Sequence, residues 1–262
     1  MSANQRVMNR IDFTMSEKSE ILNVYFTAGY PKIEDTIRIA KSLQEGGADI
    51  LEIGIPFSDP IADGPTIQES STQALKNGMT LTNLFEQLTD LRKEVVLPVL
   101  LMGYVNPIIQ FGIKEFCKEC ERVGVDGIIV PDLPIQEYLD EYQELFQVHG
   151  LYNIFLISPN TSEERIRLID EQSNGFIYMV SSSSITGAKK RIDTRQIAYF
   201  DRIRKMHLKN PRLIGFGISD HASFKKACEF AEGAIIGSAF INNLKRDTSN
   251  EAIIDFVKSI KQ

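Results

Sequence analysis

The sequence predicts an α/β fold, a single (β/α)8 barrel over residues 1–262 with extra helices at the N-terminus and in the loops. Eight short apolar stretches alternate with helical patterns, and no linker separates two halves of the chain. Such alternation is typical of a parallel sheet with helical crossovers. A length of 262 residues suits one barrel of about 250 residues. No G-x-G-x-x-G follows the first strand, which disfavours an open dinucleotide-binding sheet.

The predicted strands are continuous apolar runs, as expected for strands that are buried on both faces. The stretch LPVLLMGY, for example, contains almost no polar residue. The eight strands, each taken with the loop that follows it, lie at 21–31, 48–56, 97–104, 125–134, 151–161, 175–187, 211–219 and 231–244.

The predicted helices carry apolar residues at helical spacing. In the first of them Ile33, Ile37, Ala40 and Leu43 recur at this period before two glycines end the helix. A short extra helix is expected to begin at the Gly-Ser pair after the eighth strand. The main helices lie at 33–49, 66–77, 82–94, 112–124, 136–150, 162–173, 194–208, 220–233 and 251–262.

Composition excludes several classes of protein. Hydrophobic residues make up 43% and charged residues 24%, and the net charge of -6 argues against nucleic acid as a partner. The polar N-terminus lacks the apolar run of a signal peptide, and no run is long enough to span a membrane, so we expect a cytoplasmic protein. The three cysteines suggest no disulfide framework, and Cys117 and Cys120 have no nearby histidine to complete a metal site.

Two acidic residues stand out in the segment LEIGIPFSDPIADGPTIQ at 51–68. Glu52 lies between Leu51 and Ile53, where a carboxylate is costly unless it is paired, solvated or protonated. Asp63 follows eleven residues later on a loop with two prolines and a glycine. Two carboxyl groups in different environments are usual equipment for acid and base catalysis. The alternatives are a structural acid at 52 and a turn-forming Asp-Gly pair at 63.

The ends of the predicted strands should form a ligand pocket, because catalytic residues of such barrels lie at this face. Glycines after strands seven and eight, with a helix start after the latter, are typical of a phosphate site built from backbone N–H groups. The candidates there are Gly217, Gly237 and Ser238. Apolar and aromatic candidates for the opposite wall are Tyr25, Met102, Ile129, Tyr178 and Phe216, each of which could instead be ordinary core, and Tyr104 at the end of strand three is a further substrate-binding candidate.

The segment at 51–68 resembles the signature of the tryptophan synthase alpha chain family, roughly E-[LI]-G-x-P-[FS]-S-D-P-x-A-D-G-P-x-I-Q. The resemblance continues through TAGYP, LLMGYVNPI, VDGIIVPDLP, Y-x-x-S-x-x-x-I-T-G at 178–187, GFGIS and GAIIGSA. It implies a (β/α)8 barrel that cleaves indole-3-glycerol phosphate reversibly to indole and glyceraldehyde 3-phosphate, in tryptophan biosynthesis.

The resemblance also implies residue roles. Glu52 is expected to transfer protons, as base on the glycerol hydroxyl and as acid at indole C3, with a pKa lifted by its apolar neighbours. Asp63 is expected to bond the indole N–H. Tyr178 positions the substrate, Thr186 closes over Asp63, and Gly187 joins the phosphate site. No metal or organic cofactor is expected in this subunit.

The same resemblance implies a partner. Family members work with a beta chain that uses pyridoxal phosphate, in an alpha-beta-beta-alpha tetramer. The loops at 55–64 and 182–194 are similar to those that close the site, and 105–113 and 131–134 are candidate partner contacts. Ser182 departs from the Arg that many members carry, which concerns the loop more than the chemistry.

Other functions remain open on the sequence alone. A phosphosugar isomerase or another indole-glycerol phosphate barrel would need different catalytic groups, such as a Lys at a strand end, and these strand ends lack one. A stand-alone indole-releasing lyase would differ only in its activity without a partner. A non-catalytic subunit that binds ligand and activates a partner would bind without turnover.

Overall fold

The computed structural model describes residues 8–180, 194–215 and 217–262. Within these ranges, nine strands form one parallel sheet in the order β5-β4-β3-β2-β1-β9-β8-β7-β6. The strands are β1 Ile21–Thr27, β2 Ile50–Gly54, β3 Val99–Met102, β4 Gly127–Ile129, β5 Tyr152–Asn153, β6 Leu156–Ile157, β7 Ile177–Val180, β8 Arg212–Gly215 and β9 Gly233–Ile236.

The sheet closes into a barrel through a single short segment. β5 pairs with β4 and β6 pairs with β7, and only Ile154 and Phe155 separate them. The N–H of Ile154 donates to Ile128 (2.9 Å), while the N–H of Tyr178 donates to Phe155 (2.9 Å). One extended segment therefore bonds both neighbours, and β5 and β6 together occupy the fifth of eight barrel positions. The prediction of a (β/α)8 barrel is confirmed.

Helices surround the strands in the predicted order. They are α1 Arg10–Glu17, α2 Asp35–Gly46, α3 Pro65–Lys76, α4 Leu81–Gln87, α5 Leu91–Glu94, α6 Val105–Phe111, α7 Ile113–Val123, α8 Ile135–Glu137, α9 Gln143–Val148, α10 Glu163–Gln172, α11 Thr194–Lys205, α12 His221–Cys228, α13 Ser238–Arg246 and α14 Asn250–Lys261. The sequence pattern missed α6, which occupies the loop after β3. Within the described part of the chain, no helix combines the length and apolar character that crossing a membrane requires.

Two apolar layers hold the barrel together. The larger lies between strands and helices and includes Leu51 and Ile53. The smaller fills the barrel interior and includes Ile129, Ile235 and Ile11. Ile11 comes from α1 and is fully buried, so the N-terminal helix closes the amino end of the interior. Alternation along each strand decides which layer receives a side chain.

Buried acids tie the amino end of the barrel together. Asp49, just before β2, accepts from the N–H of Leu22 (2.9 Å) and pairs with Lys18 and Lys261. Asp126, just before β4, accepts from the N–H of Val99 (2.8 Å) and pairs with Arg10 and Arg92. Both carboxylates therefore bind neighbouring strands and peripheral helices at once.

Candidate active site

Glu52 points into the barrel because its strand neighbours Leu51 and Ile53 pack on the helix side. Its side chain is 1% exposed and lies beside Tyr25, its partner in the parallel ladder. One carboxyl oxygen, Oε2, accepts from Asn23 Nδ2 at 2.8 Å. Burial raises the pKa of Glu52 to about 8, with a further increase from the nearby Asp63 charge, while the Asn23 hydrogen bond opposes both. The sequence-based expectation of a raised pKa agrees with this direction.

Asp63 lies on the loop between β2 and α3 and is 7% exposed. Its N–H donates to Pro60 O at 3.0 Å, and α3 begins directly after Gly64 with a proline in its first turn. These contacts hold the backbone of the loop beside the aspartate. Burial raises the pKa of Asp63 to about 6, and a hydrogen bond from Tyr104 acts in the opposite direction.

Tyr104 holds in place the loop between β2 and α3, at residues 55–64, which we call the acidic loop. Its hydroxyl accepts from the N–H of Ala62 at 2.9 Å and donates to the Asp63 carboxylate. The ring packs on Phe57 with centroids 5.3 Å apart. Tyr104 is 4% exposed and follows β3. It therefore acts beneath the loop, and the substrate contact expected of it stays a prediction.

Two tyrosines lie flat against neighbouring strands because those strands carry glycine. A Cβ on Gly54 would come within 2.1 Å of the Tyr25 hydroxyl, and one on Gly215 within 2.4 Å of the Tyr178 hydroxyl. Real Cβ atoms do not approach so closely, so side chains at 54 or 215 would displace the rings. The glycines thus create room for an aromatic wall beside Glu52.

The opposite wall is made of backbone. Gly217 has φ +78°, in the left-handed region that favours glycine, and nothing lies within 4 Å of where its Cβ would be. Gly237 is the N-cap of α13 and supplies no side-chain cap, and Ser238 is the first residue of that helix. N-terminal N–H groups of a helix favour anions through unpaired donors and the helix dipole.

One cavity brings most predicted residues together at the carboxyl ends of the strands. Its lining includes Tyr25, Glu52, Asp63, Met102, Tyr178, Gly217, Gly237 and Ser238. Ile129 is placed differently: it pairs with Met102 in the parallel ladder but is fully buried and does not line this cavity. Thr186, Gly187 and Phe216 lie outside the described residues, as does nearly all of the predicted closing loop at 182–194.

The sequence analysis missed four residues at or beneath the cavity. Ile67, Ile218 and Ile235 complete its lining, and Asn23 bonds Glu52 from below. Strand alternation could have identified Asn23, because it shares a face with Tyr25 two residues later. Ile67 and Ile218 gave no such signal, since ordinary core positions look the same.

Volume alone does not identify the functional site. A larger cleft of about 580 Å3 lies at the amino end of the barrel, between α1 and Arg212, whereas the cavity around Glu52 measures about 80 Å3. The larger cleft contains the Arg212–Glu232 ion pair. The smaller one contains two buried acids with raised pKa values, which is typical of a catalytic site. Among residues 8–180, 194–215 and 217–262, no cluster of His, Cys, Asp and Glu could hold a metal ion.

The two acids can perform acid and base chemistry on one ligand. With pKa values of about 8 and 6, Glu52 is mostly protonated and Asp63 mostly ionised at pH 7. The first can therefore donate a proton while the second stabilises positive charge. An apolar wall on one side and backbone donors on the other suit a ligand with an aromatic part and an anionic part.

Comparisons with known proteins extend over nearly the whole chain. A family model described as tryptophan synthase alpha chain matches residues 12–261. Relatives named tryptophan synthase alpha chain from Christiangramia forsetii and Flavobacterium psychrophilum are 55% and 54% identical, over 97% of this chain and 99% and 100% of theirs.

Solved structures agree with the sequence comparison. The tryptophan synthase alpha chain from Legionella pneumophila subsp. pneumophila is 36% identical with a TM-score of 0.87, covering 98% of this chain and 97% of that one. An aminoacrylate-bound tryptophan synthase structure from M. tuberculosis is 25% identical with a TM-score of 0.85, covering 97% and 98%.

Proposed function

The chain belongs to the tryptophan synthase alpha chain family, and we propose that Glu52 and Asp63 carry out its reaction in the cavity described above. That reaction is the reversible cleavage of indole-3-glycerol phosphate to indole and glyceraldehyde 3-phosphate, a lyase step of tryptophan biosynthesis. The observation that supports these roles most strongly is that the buried carboxyl groups of Glu52 and Asp63 line one cavity at the carboxyl ends of the strands, where burial raises the pKa of each.

The two walls of the cavity suit the two ends of this substrate. The phosphate would lie against Gly217, Gly237 and Ser238, where backbone N–H groups at the start of α13 can bind it. The indole ring would lie between Tyr25, Met102 and Tyr178. By family resemblance Gly187 would add to the phosphate site, Thr186 would close over Asp63, and Phe216 would line the mouth of the cavity.

Glu52 would act first as an acid and then as a base. Protonated Glu52 gives its proton to indole C3, which leaves a cation on the ring. The resulting carboxylate then takes the proton of the adjacent glycerol hydroxyl. The bond between C3 and the glycerol carbon breaks, its electron pair returns to the ring, and the hydroxyl carbon becomes an aldehyde. Glu52 ends in its starting state, so no external acid or base is consumed.

Asp63 would stabilise the cation formed in the first step. Its carboxylate accepts a hydrogen bond from the indole N–H, and the positive charge on the protonated ring develops beside it. Because Asp63 is buried, this interaction is stronger in the transition state than it would be in water. Tyr104 supports the role by holding the Asp63 carboxylate in its ionised form.

The test is indole release from indole-3-glycerol phosphate by the purified chain, measured across pH. We expect kcat/KM to be bell-shaped, rising as Asp63 ionises near pH 6 and falling as Glu52 loses its proton near pH 8. A folded protein that releases no indole, alone or with a beta chain, would contradict the proposal.

The partner of this chain would be a tryptophan synthase beta chain, since members of the family pair with one. We place the pyridoxal phosphate in that partner and no cofactor in this subunit, and we expect an alpha-beta-beta-alpha tetramer in the cytoplasm.

Ile61 is 75% exposed on the acidic loop and Ile109 is 48% exposed on α6. Apolar side chains exposed beside the cavity suit a partner surface. Size-exclusion chromatography with light scattering, with and without a beta chain, measures the stoichiometry.

A further inference from the structure

Asn23 is an unusual residue for the interior of the barrel. It lies on β1 with its side chain fully buried, and its ladder partners are Ile50 and Ile235. A buried amide among isoleucines is costly unless its polar atoms are bonded. The one hydrogen bond of this side chain within the described residues runs from Nδ2 to Glu52 Oε2, at 2.8 Å.

The other polar atom of Asn23 has no partner among the residues that the structure describes. Oδ1 is buried without a hydrogen bond to any described residue. An orphaned acceptor of this kind normally costs free energy. The same atom could be satisfied by a neighbour that carries a proton only part of the time, and Glu52 is such a neighbour.

An amide can bond a carboxyl group in either protonation state. A carboxylate only accepts hydrogen bonds, whereas a carboxylic acid also has one O–H to donate. The amide supplies an NH2 donor and a carbonyl acceptor, which exchange places when the side chain rotates by half a turn about its terminal bond. The unpaired Oδ1 is therefore the acceptor that protonated Glu52 would need.

We propose that Asn23 is a positioning residue for Glu52, donating from Nδ2 to its carboxylate and accepting at Oδ1 from its protonated form. It touches no substrate itself, since it lies below the cavity. It would hold the carboxyl group in one place through both proton transfers. The inference rests on the proposed function of Glu52.

Within the described part of the chain, no other group around Glu52 favours its charged form. Asp63 from the acidic loop raises the Glu52 pKa, and the neighbouring hydroxyl groups of Tyr25 and Tyr178 belong to tyrosines whose own pKa values are raised well above normal. No Lys, Arg or His among the described residues affects it, and Asn23 alone lowers its pKa. Removing Asn23 should therefore raise that pKa further.

The experiment compares Asn23→Leu, a substitution of similar shape without polar atoms, with Asn153→Leu as a matched control. Asn153 is also a buried strand asparagine with an unpaired Oδ1, but it lies on the helix-facing side of β5. In Asn23→Leu we expect the alkaline limb of kcat/KM to move up by about one pH unit and kcat at pH 7 to fall about tenfold. KM should stay within about twofold, and Asn153→Leu should change none of these values.

A second readout does not depend on turnover. Infrared difference spectra of the free protein, with Glu52→Gln to assign the band, report the carboxylic acid C=O stretch of Glu52 against pH. We expect the band to persist to higher pH and to move to higher frequency in Asn23→Leu, because the acid loses its acceptor. Asn23→Thr, whose hydroxyl both donates and accepts, should recover part of the shift and covers the case in which Asn23→Leu does not fold.

The outcomes separate the two proposals. If Glu52 titrates at the same pH in wild type and Asn23→Leu, the inference is overturned whatever the activity. Equal losses in Asn23→Leu and Asn153→Leu would also overturn it, because the effect would then be structural. If the infrared shift occurs but wild type releases no indole, the Asn23–Glu52 pairing stands and the proposed function is the part that fails.

Discussion

The two ends of the barrel use buried acids in opposite ways. At the amino end, Asp49 and Asp126 each bond a strand N–H and two basic side chains. At the carboxyl end, Glu52 and Asp63 are just as buried, yet no described cation pairs with either. The acids at the two ends are therefore equally buried but differ in their partners. The acids paired with cations stabilise the fold, whereas those without a described cation keep raised pKa values and remain available for proton transfer.

The largest expected effect comes from Glu52→Gln. It removes the proton-transfer group while keeping the shape, so kcat for indole release should fall about 10³-fold. Steady-state assays on folded protein measure this, and near-normal turnover would remove Glu52 from the mechanism.

The same Glu52→Gln substitution should lower activity but raise the free energy of unfolding. The folded-state pKa of about 8 lies above the ordinary value of 4.5, so wild type loses stability as pH rises between these values, whereas the Glu52→Gln protein does not. The variant should gain on the order of 1 kcal/mol relative to wild type per pH unit across that window. Urea unfolding at pH 5, 7 and 9 measures the difference, and a gain that shrinks with pH would contradict the raised pKa.

The next largest effect is a loss of stability when Asp126, at the amino end of the barrel, is replaced. Asp126→Ala removes the carboxylate that neutralises the half-buried guanidinium of Arg92 and accepts from the N–H of Val99, which should cost about 3–5 kcal/mol. The exposed pair of Asp90 and Lys93 provides the control, because Asp90→Ala should cost less than about 1 kcal/mol. Urea unfolding measures both. The folded Asp126→Ala protein should keep kcat/KM within about threefold of wild type. A loss of activity in folded protein would show that the acids at the amino end also affect catalysis.

The smallest effect is expected for Tyr104→Phe, which removes the hydroxyl that bonds Asp63. Without this donor the pKa of Asp63 rises, so the acid limb of kcat/KM should move up from near pH 6 by roughly half a unit to one unit. The control is Tyr138→Phe, a buried tyrosine that packs on Phe146 and Phe155 in the outer layer. An unchanged acid limb would show that Asp63 ionises independently of Tyr104.

Much of the barrel could be predicted because its signals are local. Continuous apolar runs marked the strands, helical periodicity marked most of the helices, and their alternation predicted eight units. The division of the fifth strand into β5 and β6 could not be predicted, since it depends on whether Ile154 and Phe155 bond β4 or β7. α6 was missed because Pro107 and a short apolar stretch give no clear helical period.

The sequence by itself determined which side chains could do chemistry. An acid between two apolar strand residues indicated a buried carboxyl group, and the prolines and glycine after it predicted a shaped loop for Asp63. The glycines after strands seven and eight marked the wall made of backbone. Each of these signals is local, because it comes from residues that are close to one another along the chain.

Only the tertiary structure decided how those side chains behave. Tyr104 reaches Asp63 across 41 positions of the chain, and Asn23 reaches Glu52 across 29. Tyr104 was expected to bind substrate and lies under the loop, and Ile129 was expected at the mouth of the cavity and is fully buried beside Met102. The physical reason is that burial and hydrogen bonding, which raise or lower each pKa, depend on contacts between distant segments, whereas strand and helix patterns depend on neighbours in sequence.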